Sequence, residues 1–120
     1  MIRTLLSGAL LIINGSTALA ADSRGNYKVM ASRSCDDVVK EIESKDGSSI
    51  DKTEFFVLEA LVAGYLTEFN NLTPDTINIA PDAVTGVLPF VHDYCRAHPS
   101  KNIYDALESF TKDAYPNRQH

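Results

Sequence analysis

Two cysteines constrain this chain more than any other feature. Cys35 and Cys95 stand 60 positions apart, downstream of an N-terminal stretch laid out like an export signal. Met1-Ile2-Arg3 is a short basic start, Thr4 to Gly15 is mostly apolar and uncharged, and Ala18-Leu19-Ala20 has the small-x-small pattern of a cleavage site. The apolar run falls short of the about 20 residues that a spanning helix needs. It therefore reads as a signal removed after Ala20, with no membrane association afterwards, and not as an anchor. Export places the cysteines in an oxidising compartment, where free thiols do not persist. The expectation is one long-range disulfide within the chain, with an intermolecular bridge as the alternative. Catalytic or metal-binding roles for either cysteine recede accordingly.

Cleavage leaves residues 21–120, enough for one domain. A domain of that size buries a modest share of its surface and gains from a staple. Closing a loop of about 61 residues is worth roughly 4 kcal/mol on the chain-entropy estimate. Charge adds a second constraint. The chain has 11 Lys and Arg against 16 Asp and Glu, a net charge of −5, and losing Arg3 with the signal makes the remainder one unit more negative. No basic patch exists, which argues against nucleic acid as a partner. In strong acid the carboxylates neutralise, and the basic residues with three His carry the domain to about +13.

Hydrophobic spacing predicts an all-α bundle of four to five short helices. Residues 21–33 are polar and aperiodic, a loose arm. Ser34 can cap a first helix whose opening turn holds Asp36 and Asp37, with Val38, Val39 and Ile42 on one side. That helix should end near Ser44, before the turn-rich run Lys45 to Ser49. A second helix is expected from about Lys52 to Asn70. Phe55, Leu58, Val62, Tyr65 and Phe69 recur at spacings of three and four, and Leu61 and Leu66 widen the stripe. Phe56 and Val57 fall off that stripe: they are either further core or a second face for a partner chain. Ala60 and Gly64, four apart, make a shallow groove where another helix could come close.

A loop follows over residues 71–79, and Pro81 fits the first position of a helix. Val84, Val87, Leu88, Val91 and Cys95 form the next stripe. Pro89 interrupts it, which favours a short turn ending near Val87 and a new helix from Leu88-Pro89 over one kinked helix. Ser100 can cap a last helix carrying Ile103, Leu107 and Phe110, and Pro116 stops it. The resulting division is a signal over 1–20, an arm over 21–33, a helical domain over 34–115 and a frayed end over 116–120.

No motif for nucleophilic catalysis, phosphate binding or metal chemistry appears, so no catalytic residue, metal or cofactor is expected. His92-x-x-Cys95 could ligate a metal only if Cys95 were a free thiol. Capping accounts for Asp36-Asp37, and the five tyrosines form no stacking platform.

Against this background the chain resembles the HdeA/HdeB family of periplasmic acid-stress chaperones, HdeB in particular. The segment Tyr94-Cys95-Arg96-Ala97-His98-Pro99-Ser100-Lys101-Asn102-Ile103-Tyr104 carries the likeness most specifically. Ser34-Cys35-Asp36-Asp37-Val38 and Leu61-Val62-Ala63-Gly64-Tyr65 support it. The likeness spans roughly residues 34–110, and the chain departs from the family pattern in having no tryptophan. The resemblance implies a Cys35–Cys95 disulfide, a homodimer at neutral pH, and ATP-independent binding of acid-unfolded periplasmic proteins. The client-binding or dimer face would comprise Phe55, Phe56, Leu58, Leu61, Val62, Tyr65 and Leu66. A second likeness, in Gly64-Tyr65-Leu66, Ile79 to Thr85, His98-Pro99 and Ala106-Leu107, is to Rap/Tai-type immunity proteins that bind a type VI secretion toxin.

Overall fold

The computed structural model describes residues 33–120, so the signal and all of the arm except Arg33 lie outside the described residues. Four helices and a short 3-10 turn carry the fold: α1 (Cys35–Glu43), α2 (Ser49–Leu72), α3 (Ala83–Ala97), α4 (Ile103–Ala114) and the turn Tyr115–Asn117. No strand is present among the described residues, as the spacing predicts.

The starts of α1, α2 and α4 each follow from a side chain that satisfies backbone N–H groups the helix cannot. Ser34 Oγ accepts from the Asp37 amide at 3.2 Å, capping α1 as expected. α2 starts earlier than the apolar stripe suggests. Ser48 and Asp51 form a reciprocal capping box, with the Asp51 amide donating to Ser48 Oγ at 3.2 Å and the Ser48 amide to Asp51 Oδ2 at 2.8 Å. Gly47 is required beside it, because a Cβ there would lie 2.9 Å from the Ser44 carbonyl oxygen. The cap of α4 is Asn102, not Ser100. Asn102 Oδ1 accepts from the Tyr104 and Asp105 amides, and Asp105 Oδ2 accepts from the Asn102 amide at 3.0 Å.

The third helix corrects the sequence expectation twice. α3 is continuous through Pro89, and it begins at Ala83 instead of at Pro81. Proline inside a helix costs about 3 kcal/mol through the lost amide and the ring clash. Here the ring sits on the exposed side, while Val87, Leu88 and Val91 are buried. Burial of such side chains returns about 1.5–3 kcal/mol each, which outweighs the break. Asp82, before the helix, makes no side-chain cap, and Ala83 has φ +59°, left-handed backbone that costs a non-glycine residue about 1–2 kcal/mol.

Cys35, in the first turn of α1, is disulfide-bonded to Cys95, in the last turn of α3, with the Cα atoms 4.7 Å apart and both residues buried. Backbone pairing reinforces the staple. The Cys35 amide donates to the Lys101 carbonyl at 2.9 Å and the Ile103 amide to the Arg33 carbonyl at 3.0 Å. The starts of α1 and α4 are thereby joined, with α3 packed against both helices. Residues 116–120, expected to fray, are tied down. The Ile77 amide donates to the Gln119 carbonyl at 2.8 Å, and Arg118 Nε donates to Thr76 Oγ1 at 2.9 Å with its guanidinium 3.8 Å over the Tyr115 ring.

Candidate interaction surface on the second helix

The seven α2 residues singled out from the sequence separate by depth. Leu58, Val62 and Leu66 are buried; Phe55, Leu61 and Tyr65 are half-buried; Phe56 is 67% exposed. The chain's own helices cover the inner stripe. Tyr65 reaches α4, its ring centroid 6.2 Å from that of Tyr104, and burial pushes the Tyr65 phenol pKa up. Most of the candidate face is thus domain core in the folded state.

The outer face is separate. The core alternative for Phe56 and Val57 is overturned, because Val57 is also exposed, at 38%. Ala60 and Gly64 are exposed between them and the helix end, and a Cβ built on Gly64 would meet nothing within 4 Å. Ile50 and Leu72 add exposed apolar side chains near the two ends of α2. The helix is therefore apolar on two sides, one packed inward and one facing outward.

Beside the inner stripe lies an open groove of about 450 Å³ between α1, α2 and α3, with Ile42, Phe55, Leu88 and Pro89 as apolar lining and Glu59 and His92 among its polar residues. Sequence reading missed this groove, because its walls come from three helices and share no motif. Glu43, also on its wall, accepts from Arg96 at 2.9 Å and lies 3.1 Å from His92 Nε2. The His92 contact first, and then the Arg96 guanidinium, hold the Glu43 carboxyl below the usual carboxylate range. Asp51 is held low by its hydrogen bonds from Ser48.

Glu41 has the opposite environment. Burial raises its pKa, although Arg33 Nε stands 3.2 Å away and opposes the shift. Its Oε2 is buried without a hydrogen-bond partner among the described residues. Arg33 also pairs with Glu54 of α2 at 2.9 Å. His92 and Cys95 do not form a ligand pair, since the Cys95 sulfur is committed to the disulfide. The His98 ring stacks on Tyr94 at 4.3 Å. No family model, curated protein or solved structure matches this chain.

Proposed function

We propose that the chain is a periplasmic, ATP-independent acid-stress chaperone. In this reading it is folded and paired with a second copy at neutral pH, loosens in acid, and binds unfolding proteins through apolar surface on α2. The likeness of the Tyr94–Tyr104 segment to the HdeA/HdeB family motivates the reading. The observation that carries it is the mismatch between how α2 is held and how the rest is held. The disulfide and the paired backbone around Arg33–Cys35 and Lys101–Ile103 staple α1, α3 and α4 together. α2 lies wholly inside the closed Cys35–Cys95 loop. It is held chiefly by apolar packing, with polar ties from Glu54 to Arg33 and from Asn70 to the Ile79 amide.

Acid acts on such an arrangement in a definite direction. Glu43 and Asp51 titrate below their usual range when folded, so each adds stability above that range and loses it as pH falls through the folded value. Neutralising the carboxylates also leaves the Lys, Arg and His charges to repel one another. Release of α2 then exposes Leu58, Val62 and Leu66 beside Phe56, while the disulfide limits how far the chain expands and the positive charge keeps complexes dispersed. No nucleotide is needed, and recharging the carboxylates reverses the state.

The test follows the purified chain by sedimentation and near-ultraviolet circular dichroism from pH 7 to pH 2, with light scattering from an acid-labile client. Loosening below about pH 4 together with suppressed scattering supports the reading. A chain that stays compact while the client precipitates refutes it.

A further inference from the structure

The groove between α1, α2 and α3 is lined by three carboxylates and one ammonium, and these groups are not equivalent. Glu43 is engaged by Arg96 and His92, and Asp93 lies 3.3 Å from His92 Nδ1. Glu59, on the α2 wall, differs from both. It is half-buried, and among the described residues its side chain makes no hydrogen bond or ion pair, not even with Lys45 across the groove. We propose that this groove binds a small organic cation, an arylalkyl or alkyl ammonium, with its charge on Glu59 and its apolar body against Phe55, Leu88 and Pro89. The site belongs to the folded domain and needs neither acid nor loosening.

Charge, spacing and volume each select this class of ligand. A carboxylate partly withdrawn from water and lacking a partner gives up hydration without return. A ligand ammonium restores that loss through a charge-assisted hydrogen bond. An anionic ligand meets the opposite balance, because Lys45 is exposed and already solvated while Glu59 repels the charge. Phe55 and Glu59 are four residues apart on α2, so they stand on one face with Cβ atoms about 5–6 Å apart. The α2 wall thus offers an aromatic surface and a carboxylate one turn apart. An ammonium joined to an apolar group by a two-carbon link spans a similar length, and Phe55 can also face the cation with its ring. Leu88 and Pro89 of α3 and Ile42 of α1 close the apolar side. The volume of about 450 Å³ lies within the range of about 300–1,000 Å³ that small-molecule sites occupy.

The test uses the full chain, expressed with its own leader and purified as the cell processes it. Three probes share one apolar body and differ in charge: 2-phenylethylammonium, 2-phenylethanol and 3-phenylpropionate. Each is titrated at neutral pH and low salt, with amide NMR shifts as the readout. The ammonium should bind most tightly, at about millimolar concentration, the alcohol more weakly, and the carboxylate weakest. The Phe55, Glu59 and Leu88 amides should move, and that of Gly64, on the outward face of the same helix, should not. Glu59→Gln should weaken the ammonium about tenfold while leaving the alcohol unchanged. Glu68→Gln removes the same charge from α2 outside the groove and should leave all three unchanged. Lys45→Gln leaves the α2 wall intact and should tighten the ammonium about twofold. Equal binding of the three probes overturns the proposal, as does an ammonium preference that survives Glu59→Gln. A groove already filled by another part of the chain or by a second copy would respond to none of the probes, which also overturns it.

Discussion

Replacing both cysteines, as Cys35→Ala with Cys95→Ala, should destabilise the domain mainly through its unfolded state. The disulfide closes a loop of about 61 residues, and the chain-entropy relation gives that closure roughly 4 kcal/mol at 25 °C. Folded domains carry about 5–15 kcal/mol in total, so a large fraction of the stability is at stake. At about 4–8 °C per kcal/mol for a domain of this size, the melting temperature should fall by some 16–32 °C. Because the Cys35 amide bond to Lys101 and the Ile103 amide bond to Arg33 are backbone contacts, they survive the change. The native starts of α1 and α4 should therefore stay joined. Urea unfolding separates the possible causes. A chain freed of its crosslink exposes more surface when it unfolds, so the denaturant slope should rise as the midpoint falls. A midpoint that does not move would refute the loop-closure reasoning. A midpoint that falls with an unchanged slope would relocate the effect to damage in the native core around two buried sites.

Other substitutions separate the two faces of α2 and the carboxylates. Leu58→Ala removes a fully buried side chain and should cost about 2–5 kcal/mol in neutral-pH unfolding. Phe56→Ser, on the exposed face, should change stability by no more than about 0.5 kcal/mol yet weaken client protection in acid, read by light scattering. Ser48→Ala should cost about 1 kcal/mol at pH 7. It also removes the hydroxyl hydrogen bond to Asp51, the larger of the two Ser48 bonds that hold Asp51 low, while the Ser48 amide bond stays, so its penalty should shrink as pH falls below the carboxylate range, which a pH series of denaturation midpoints reads directly. Ala83→Gly relieves left-handed backbone and should raise the melting temperature, a gain of about 1 kcal/mol.

The parts of the fold that were legible are those written in local patterns. The Ser34 cap, the α2 stripe and the all-α class follow from spacing and capping chemistry, and the pairing of Cys35 with Cys95 follows from the chain holding two cysteines behind a stretch that reads as an export signal. The misreadings arise where tertiary packing competes with a local rule. Pro89 reads as a break because its cost is local, whereas the burial of Val87, Leu88 and Val91 that offsets it depends on α1 and α4 being near. Ser100 and Asn102 are both acceptable caps in sequence; Asp105, three residues after Asn102, selects between them. The same three-residue spacing from Ser48 to Asp51 marks the true start of α2, at the end of the turn-rich run that begins at Lys45. Ile79 is buried inside what reads as a surface loop, because the Asn70 side chain receives its amide at 2.9 Å. The Gln119 pairing could not be read, since an isolated bridge between a loop and a terminus leaves no periodicity.

The acid response of this domain is a balance among carboxylates, and the three with resolved shifts do not agree in sign. Glu43 and Asp51 stabilise the fold while ionised and withdraw that support as pH falls. Glu41, raised by burial, does the reverse. Its ionised form strains the fold at neutral pH, and protonation relieves that strain as pH falls through the folded value. Position decides what each can drive. Asp51 belongs to the capping box of α2, and Glu43 ties α1 to α3 through His92 and Arg96. Glu41 shares Arg33 with Glu54 of α2. Protonating Glu41 removes one of the two carboxylates that share the Arg33 guanidinium. The raised group protonates at higher pH than the two held low, so the Glu41 contact with Arg33 changes first, while the α2 cap and the α1–α3 tie keep their carboxylate charges into stronger acid.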